Sequence, residues 1–290
     1  MTPTRAAAEH AGIDVAGSWD RRRLLATLVA VAAVALLMAV GLAYALHLVI
    51  TSSGQELTGS TPTHTRTAGT SAGRVVDTLT AGPARRDAIA AAAMLAVPPA
   101  AGRSGTPASR PAPGIPIPAA GVVGPAGVAT GFPRTEQGAV GQLAAITISV
   151  LQSMSIEHTN AVHAAWSEPA AVPAGDWELM SSVQAFLGSA SGQAADSALS
   201  TVVVTPVGAQ VKGSDGPDWT LACVLFDVRA SVVRTARVAF GHCSRMQWHQ
   251  QENRWLIGAG AAPARAPSTW PGTQIAHDAG WAAWVPAEDH

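Results

Sequence analysis

The chain has 290 residues, of which 13% are charged, and its formal net charge at pH 7 is −1. Lys212 is the single lysine, and this near-neutral balance argues against a nucleic-acid partner, which requires clustered basic side chains. The length would allow two domains, but the abundance of Ala, Gly and Pro favours one folded domain.

Residues 24–50 form an apolar run without a charged side chain, and Arg21, Arg22 and Arg23 stand immediately before it. Such a run is long enough to cross a bilayer, where only a helix satisfies its own backbone groups. No Lys or Arg follows it before Arg66. Because basic residues favour the cytoplasmic side, we predict a cytoplasmic tail over residues 1–23 and one transmembrane helix over 24–50 in the cell membrane. The remaining chain is then extracytoplasmic.

A cleaved signal peptide is the alternative interpretation of this run. Ala43-Tyr44-Ala45 supplies a small-residue cleavage site after apolar residues, so cleavage would follow Ala45. The apolar run is longer than the usual signal-peptide core of about 7–15 residues. We therefore favour a retained helix, and both interpretations export the rest of the chain.

Residues 51–130 are rich in Ser, Thr, Gly, Pro and Ala, most extremely over residues 98–127. A segment of this composition buries too little apolar surface to offset the entropy of ordering, so we predict a disordered linker that its prolines stiffen. Residues 84–97 contain strong helix formers and end at Pro98. We interpret them as a transient helix rather than a docking helix.

Residues 131–290 are predicted to fold as an α+β domain that begins with helices. Thr135 is a suitable N-cap for a helix over residues 135–153, with Glu136 in its first turn. A second helix is predicted over 156–166 and a third over 176–187, where Gly188 ends it.

Strands are predicted beyond Gly192, first over residues 201–205 and then, after a turn at 212–217, from Trp219 onward. Alternation in the second stretch predicts a sheet with one buried and one wet face, and its length requires a bend or turn within 229–235. Residues 245–250 and 254–257 are predicted to form a final hairpin, and 273–284 a closing helix. The fold class is thus helices packed on a curved antiparallel sheet.

Cys223 and Cys243 are the two cysteines, and both lie in the exported part of the chain. Oxidising compartments permit disulfides, and this one would close a loop of about 20 residues, worth roughly 3 kcal/mol. A hairpin with an odd number of loop residues would place the two cysteines opposite each other. We favour the disulfide over two buried free thiols.

Two stretches resemble known families. GFPRTEQGAV, residues 131–140, resembles the opening of membrane-anchored, uncharacterised proteins of actinobacterial conjugative and integrative elements. RMQWHQQENRWLIG, residues 245–258, is similar to the last hairpin of NTF2-like (cystatin-like) domains, whose turn bears Gly or Asn. With the predicted topology, the chain is similar to inner-membrane assembly factors of type IV secretion and conjugation. The resemblance implies an NTF2-like extracytoplasmic domain and supplies no catalytic residues.

No cluster of metal ligands stands out in the sequence. His242 and Cys243 are neighbours in a predicted strand, where their side chains point to opposite faces. His158 and His163 lack the i, i+4 spacing of helical metal pairs. We therefore expect neither a metal nor a cofactor.

Asp227 and His249 are the candidates for acid–base chemistry in the concave side of the sheet. Asp227 shares its face with Arg229 and Arg237, so cross-strand ion pairing explains it more simply. We accordingly expect a protein without enzymatic activity, and a hydrolase or isomerase ranks third among the functions considered.

Arginine and tryptophan side chains form the candidate interaction surface. Its members are Arg229, Arg234, Arg237, Trp270, Trp281 and Trp284. A solvated basic face, and tryptophans that cover one end of a small core, are the competing interpretations.

The sequence favours a non-enzymatic, membrane-anchored scaffold or assembly component of a cell-envelope conjugation or secretion apparatus. Its expected partners are the membrane and envelope or secretion-system proteins, and self-association stays open. The alternative is an extracytoplasmic module that binds a small molecule or the cell wall in an NTF2-like cavity.

Overall fold

A computed structural model describes residues 79–189, 201–231 and 235–287. These residues belong to the compact unit Arg66–His290. The predicted cytoplasmic tail and transmembrane helix lie outside the described residues. Within the described part of the chain, no helix is long and apolar enough to cross a membrane.

The architecture is α+β, built on a curled six-stranded sheet with the order β1-β8-β4-β5-β6-β7. Its long central strands are antiparallel, whereas β1 and β8 are parallel to each other. Two register shifts in β4 act as bulges, which bend a strand and increase its twist. The strands are β1 Gly114–Ile117, β4 Thr201–Ser214, β5 Trp219–Ser231, β6 Thr235–His249, β7 Arg254–Ile257 and β8 Ala282–Pro286, and β2 Val122–Val123 pairs separately with β3 Ala129–Thr130.

Three helices cover one face of the sheet: α2 Glu136–Ser153, α3 Ile156–Trp166 and α4 Glu178–Leu187. Thr135 caps α2, since its hydroxyl accepts a hydrogen bond from the Gly138 amide at 3.0 Å. The predicted bounds of α2 and α3 are within one residue of those observed. Helix α4 begins two residues later than predicted and ends at Gly188 as expected.

The main core lies between these helices and the sheet, and its largest members are aromatic. Trp166, Trp255 and Phe226 are all fully buried there. The Trp166 indole donates to the Pro125 carbonyl at 3.0 Å, and the Trp255 indole to the Pro133 carbonyl at 2.9 Å. Both buried N–H groups are therefore satisfied, as buried tryptophans require.

The predicted linker is too long, because residues 79–130 are part of this fold. Helix α1 spans Pro83–Ala91, shorter than the predicted helix over 84–97, and β1 pairs with β8. The prediction considered the segment alone, and alone it lacks apolar surface. Its small residues instead allow close approach to the sheet: a Cβ at Gly102 would lie 3.2 Å from the Ala239 carbonyl oxygen.

The expectation of a wet sheet face holds only near the β5–β6 hairpin, where Arg229, Thr235 and Arg237 are exposed. Over the rest of that face a second cluster covers the sheet. It contains Cys223, Leu225, Ala239, Ala266 and Trp281, together with other small residues. Chain segments from both ends of the domain supply the cover, and the alternating pattern of β5 and β6 does not reveal them.

The predicted closing helix is wrong in its second half. Helix α5 covers only Gln274–Asp278, with the Thr273 hydroxyl accepting from the Ala276 amide at its start. The chain then extends as β8 and pairs with β4. Tertiary pairing with two other strands overrides the apolar spacing that favoured a longer helix.

The β5–β6 hairpin turns within the predicted interval. Ser231 pairs with Thr235, and Cys223 lies opposite Cys243. These cysteines form a disulfide, with their Cα atoms 4.0 Å apart. The pairing is the one that the hairpin hypothesis offered.

Helix α1 is held against the β4–β5 turn by charged groups. The buried Asp215 carboxylate accepts from the Gly82 amide at 3.1 Å and from Arg86 Nε at 2.6 Å. At the other end of α1, the Lys212 ammonium donates to the Ala90 carbonyl at 3.2 Å. Ile89 is buried against Trp219 and Leu221. This helix is consequently a docked element of the domain.

We expect Asp215→Ala to lower the free energy of unfolding by about 2 kcal/mol, because hydrogen bonds to charged groups contribute about 1.5–3 kcal/mol. Urea unfolding of the full-length chain, followed by tryptophan fluorescence, measures the change. Asp218→Ala is the matched control in the same turn, since Asp218 forms an ion pair with Arg134 at the surface. Equal losses in the two variants would contradict the docking of α1 through Asp215.

Candidate functional site

Helix α4 lies between two concave features of the domain. At its N-terminal end lies a cavity of about 250 Å³, here called the α4 cavity. At its C-terminal end lies a groove of about 290 Å³, here called the α4 groove. The cavity is lined in part by Trp177, Glu178, Ser181, His242, Ser244 and Arg265. The groove is lined in part by Leu151, Met154, Phe186, Val228, Val238 and Phe240.

Glu178 and His242 form the polar centre of the α4 cavity. His242 is 2% exposed, and its Nδ1 lies 2.6 Å from Glu178 Oε2. Burial raises the pKa of Glu178, but the hydrogen bond and charge of His242 and the charge of Arg265 outweigh burial and leave this pKa below its usual value. His242 Nε2 is buried and has no hydrogen-bond partner among the described residues.

The ionised Glu178 carboxylate determines which nitrogen of the His242 imidazole donates to it. A carboxylate only accepts hydrogen bonds, so Nδ1 of His242 carries the proton that it donates. Within the described residues, no group of three or more His, Cys, Asp or Glu side chains is arranged to hold a metal ion.

Sequence reasoning missed this pair because its members are 64 residues apart. His242 was considered only with Cys243, and the two do lie on opposite sides of β6, since Cys243 belongs to the second cluster. The sequence does hold one indication. His242 is two residues from Phe240 in the same strand, so both lie on the helix-covered face of the sheet. A histidine on a buried face needs a hydrogen-bond partner, but the spacing of residues in the sequence does not identify that partner.

The α4 groove is apolar and lies between the C-terminal parts of α2 and α4 and the hairpin ends of β5 and β6. Val228 and Val238 are opposite each other in these strands. Val238 is 41% exposed, although its neighbour Phe240 packs against the main core. Exposed apolar side chains that line a concave surface are typical of contact sites.

Three residues of the predicted interaction surface do come together around Asp227. Arg237 donates from Nε and Nη2 to the two carboxylate oxygens, each at 2.6 Å, and Arg229 Nη2 donates at 3.1 Å. The Arg237 guanidinium lies 4.6 Å from the ring centre of Trp270. Asp227 therefore forms the expected cross-strand ion pair.

Hydrogen bonds from Arg237 hold the pKa of Asp227 below its usual value; burial opposes them, and Arg229 adds to the lowering. Because the folded pKa is depressed, the stabilisation is present above the unfolded pKa of about 3.9 and is lost as pH falls through the folded pKa. We expect Asp227→Asn to be less stable than wild type at pH 7, with the difference shrinking below about pH 4. Urea midpoints at pH 7, 4 and 3 test this, and a difference that is constant with pH would contradict it.

The other predicted surface residues do not join this cluster. Trp281 is 3% exposed, and its indole donates to the Pro267 carbonyl at 3.1 Å. Trp284 lies on β8 and packs against the main core. Arg234 lies outside the described residues. Trp281 therefore packs within the second cluster and is not exposed at the surface.

The remaining histidine candidates lie near local polar groups. His249 Nδ1 lies 3.4 Å from Glu252 Oε1, but this nitrogen makes no hydrogen bond among the described residues. His158 Nε2 lies 2.9 Å from the Ser149 hydroxyl, and His163 Nε2 lies 2.8 Å from the Val172 carbonyl. His158 and His163 thus hold helix α3 in place through separate contacts.

Fold and sites together define an α+β domain with a curled, antiparallel-rich sheet, helices on one face and a His–Glu pair beneath α4. Comparisons with protein-family models, with curated proteins and with solved structures found no match for this chain.

Proposed function

We propose that the chain is a non-enzymatic, membrane-anchored scaffold or assembly component of a cell-envelope conjugation or secretion apparatus. In this proposal the N-terminus is cytoplasmic, and the domain beyond it is extracytoplasmic with an NTF2-like fold. The domain works by contact with other proteins of the apparatus.

Anchoring and export are supported by the order of features along the chain. The apolar run over residues 24–50 follows Arg21, Arg22 and Arg23 and precedes the folded domain. The domain contains the Cys223–Cys243 disulfide, and such bonds persist in oxidising compartments.

The NTF2-like assignment is supported by helices that precede a curled antiparallel sheet and by the last hairpin. In the β6–β7 turn, Asn253 has a φ of 51°, the left-handed conformation that Asn and Gly tolerate best. The parallel β1–β8 edge is an addition to the pattern that the resemblance implies.

The observation that carries the proposal is the α4 groove. Its lining is apolar, and Val238 and Phe240 contribute to it from β6, opposite Leu151 and Phe186 of the helices. An apolar segment of a partner protein fits such a groove, because burial contributes about 25 cal/mol per Å² of apolar surface.

Site-specific photocrosslinking in cells tests the proposal. A crosslinking residue at Val238 should capture a protein of the transfer apparatus. The matched control is Val203, a β4 valine that is 45% exposed and opposite Arg229, hence on the other face. Capture of the same proteins at both positions would reject the groove, and capture of a second copy alone would replace the scaffold with self-association.

A further inference from the structure

We propose that the free edge of β4 pairs with the same edge of a second copy of this chain, antiparallel and about a two-fold axis at Val203. The proposal concerns β4 and does not depend on the partner contact at the α4 groove, so either one can fail alone.

The first half of β4 is an edge of the sheet. Strand β5 pairs with β4 from Thr201 onward. In the described part of the chain, β8 pairs with β4 only at Gly208 and Ala209. Residues 201–205 therefore have a neighbouring strand on one side alone. Their backbone N–H and C=O groups that point away from β5 are a template for pairing with another chain.

This edge lacks the features with which proteins block edge pairing. Residues 201–205 include no charged side chain and no proline, and Val203 is 45% exposed. The two outermost strands of the sheet are only four residues long, and they contain Pro116 in β1 and Arg254 in β7. Short strands, prolines and charges all oppose the addition of a strand. Among the sheet edges that the structure describes, that of β4 is therefore the most suitable for pairing.

The sequence of the edge selects a second copy as its occupant. Residues 201–205 read Thr-Val-Val-Val-Thr, which is the same in both directions. Antiparallel pairing of two copies thus places Thr201 opposite Thr205 of the second copy, and Val203 opposite its own equivalent. Cross-strand threonine pairs stabilise a sheet, and β-branched side chains pack well on its surface. Every contact occurs twice about the axis, as in the self-complementary interface of a two-fold dimer.

The side chains also match on both faces of the joined sheet. Residues directly opposite each other in an antiparallel pair lie on the same face. On the exposed face, the two Val203 side chains would cover each other. Val202 and Val204 lie on the helix-covered face with the main core, so the pair that they form between copies would extend its apolar layer. Arg229, which lies opposite Val203 in β5, already forms an ion pair with Asp227.

The contact is short, and this determines how it is tested. Five paired residues bury less than the roughly 1,200–2,000 Å² of stable protein interfaces, so we expect a weak dimer. A covalent bond between the copies captures such a dimer in the membrane, without the dilution that purification involves.

Cysteine crosslinking of the full-length chain in isolated membranes is the experiment. Both native cysteines are in the Cys223–Cys243 disulfide, so an introduced cysteine supplies the free thiol. Opposite Cα atoms in an antiparallel pair are about 4.5–5.5 Å apart, which suits a disulfide. Val203→Cys should therefore give a covalent dimer on oxidation with copper–phenanthroline. Val285→Cys is the matched control, since Val285 is a β8 valine that is 43% exposed, and it should stay monomeric.

Further variants test the register of the pairing. Thr201→Cys and Thr205→Cys should each crosslink poorly alone and readily when both chains are made in the same cells. Addition of Val203→Lys to both chains should lower the rate of this crosslinking about tenfold, because like charges directly opposite each other destabilise strand pairing. The urea midpoint of the Val203→Lys variant should stay close to that of wild type, as for surface changes in general.

Four results would overturn the proposal. In the first, Val203→Cys stays monomeric, or Val285→Cys forms the dimer equally well. In the second, Thr201→Cys crosslinks alone as readily as it does with Thr205→Cys. In the third, Val203→Lys leaves the crosslinking rate unchanged. In the fourth, Val203→Cys forms its disulfide with a different protein, because the occupant of the edge is then not a second copy.

Discussion

Replacement of Gly138 by Ala is expected to lower the free energy of unfolding by about 3 kcal/mol, at the upper end of the range for overpacked positions. A Cβ at this position would lie 1.9 Å from the Pro133 carbonyl oxygen. Real side chains do not approach backbone atoms so closely. Either the first turn of α2 or the segment before it must therefore move.

The surrounding contacts oppose such a movement. The Pro133 carbonyl accepts from the Thr135 amide at 2.8 Å and from the Trp255 indole at 2.9 Å. The Thr135 hydroxyl in turn accepts from the Gly138 amide. A shift of Pro133 would thus break the cap of α2 and leave the fully buried Trp255 with an unsatisfied N–H group.

Gly175→Ala is the matched control, because a Cβ there would meet no atom within 4 Å. Its free energy of unfolding, from urea titration, should stay within about 0.5 kcal/mol of wild type, as for surface changes in general. If the Gly138→Ala variant unfolds at the wild-type urea concentration, the close approach of Pro133 and α2 is refuted.

The same contacts explain the GFPRTEQGAV stretch in structural terms. Phe132 packs over Gly141, where a Cβ would lie 2.6 Å from the ring. Thr135 caps the helix, and Gly138 admits the Pro133 carbonyl. These residues therefore shape the entry into α2, and the resemblance that rests on them concerns the fold more than the activity.

The elements that were predictable from sequence have local causes. The start of α2 follows from the predicted N-cap Thr135. The start of α3 also has a local cause, since in the structure the Ser155 hydroxyl accepts from the His158 amide at 3.3 Å. The β5–β6 hairpin follows from alternation and the positions of the cysteines. Each of these signals spans few residues, so composition and spacing suffice to detect it.

The elements that were missed depend on contacts between distant residues. Gly114 pairs with Ala283, and no local pattern links them. The GIPI sequence of β1 lies in a proline-rich segment, and pairing along one edge orders it. The Glu178–His242 pair has the same origin, since two elements far apart in sequence bring it together. The composition of a segment indicates whether the segment can fold by itself. It does not account for the surface of the rest of the domain, against which the segment packs.

Removal of the disulfide in the Cys223→Ala, Cys243→Ala double variant is expected to lower the free energy of unfolding by about 3 kcal/mol. The bond closes a loop with a sequence separation of 20, and in the chain-entropy model such a loop contributes about 3 kcal/mol. Both cysteines are buried in the second cluster, and Cys243 Sγ lies 3.6 Å from Met94 Sδ. Loss of these packed sulfur atoms adds a cavity cost of the same sign.

Treatment with a reductant distinguishes the stability that the disulfide bond contributes from the stability that the packed sulfur atoms contribute. The wild-type chain is unfolded, reduced and then titrated with urea in the presence of dithiothreitol. Its urea midpoint should approach that of the double variant. The midpoint of the double variant itself should not change with dithiothreitol. Equal midpoints for oxidised wild type and the double variant would show that the bond contributes nothing. A full effect would make stable folding of the domain depend on an oxidising compartment, because Cys223 and Cys243 join the paired central strands β5 and β6 beneath the segments that cover the second face.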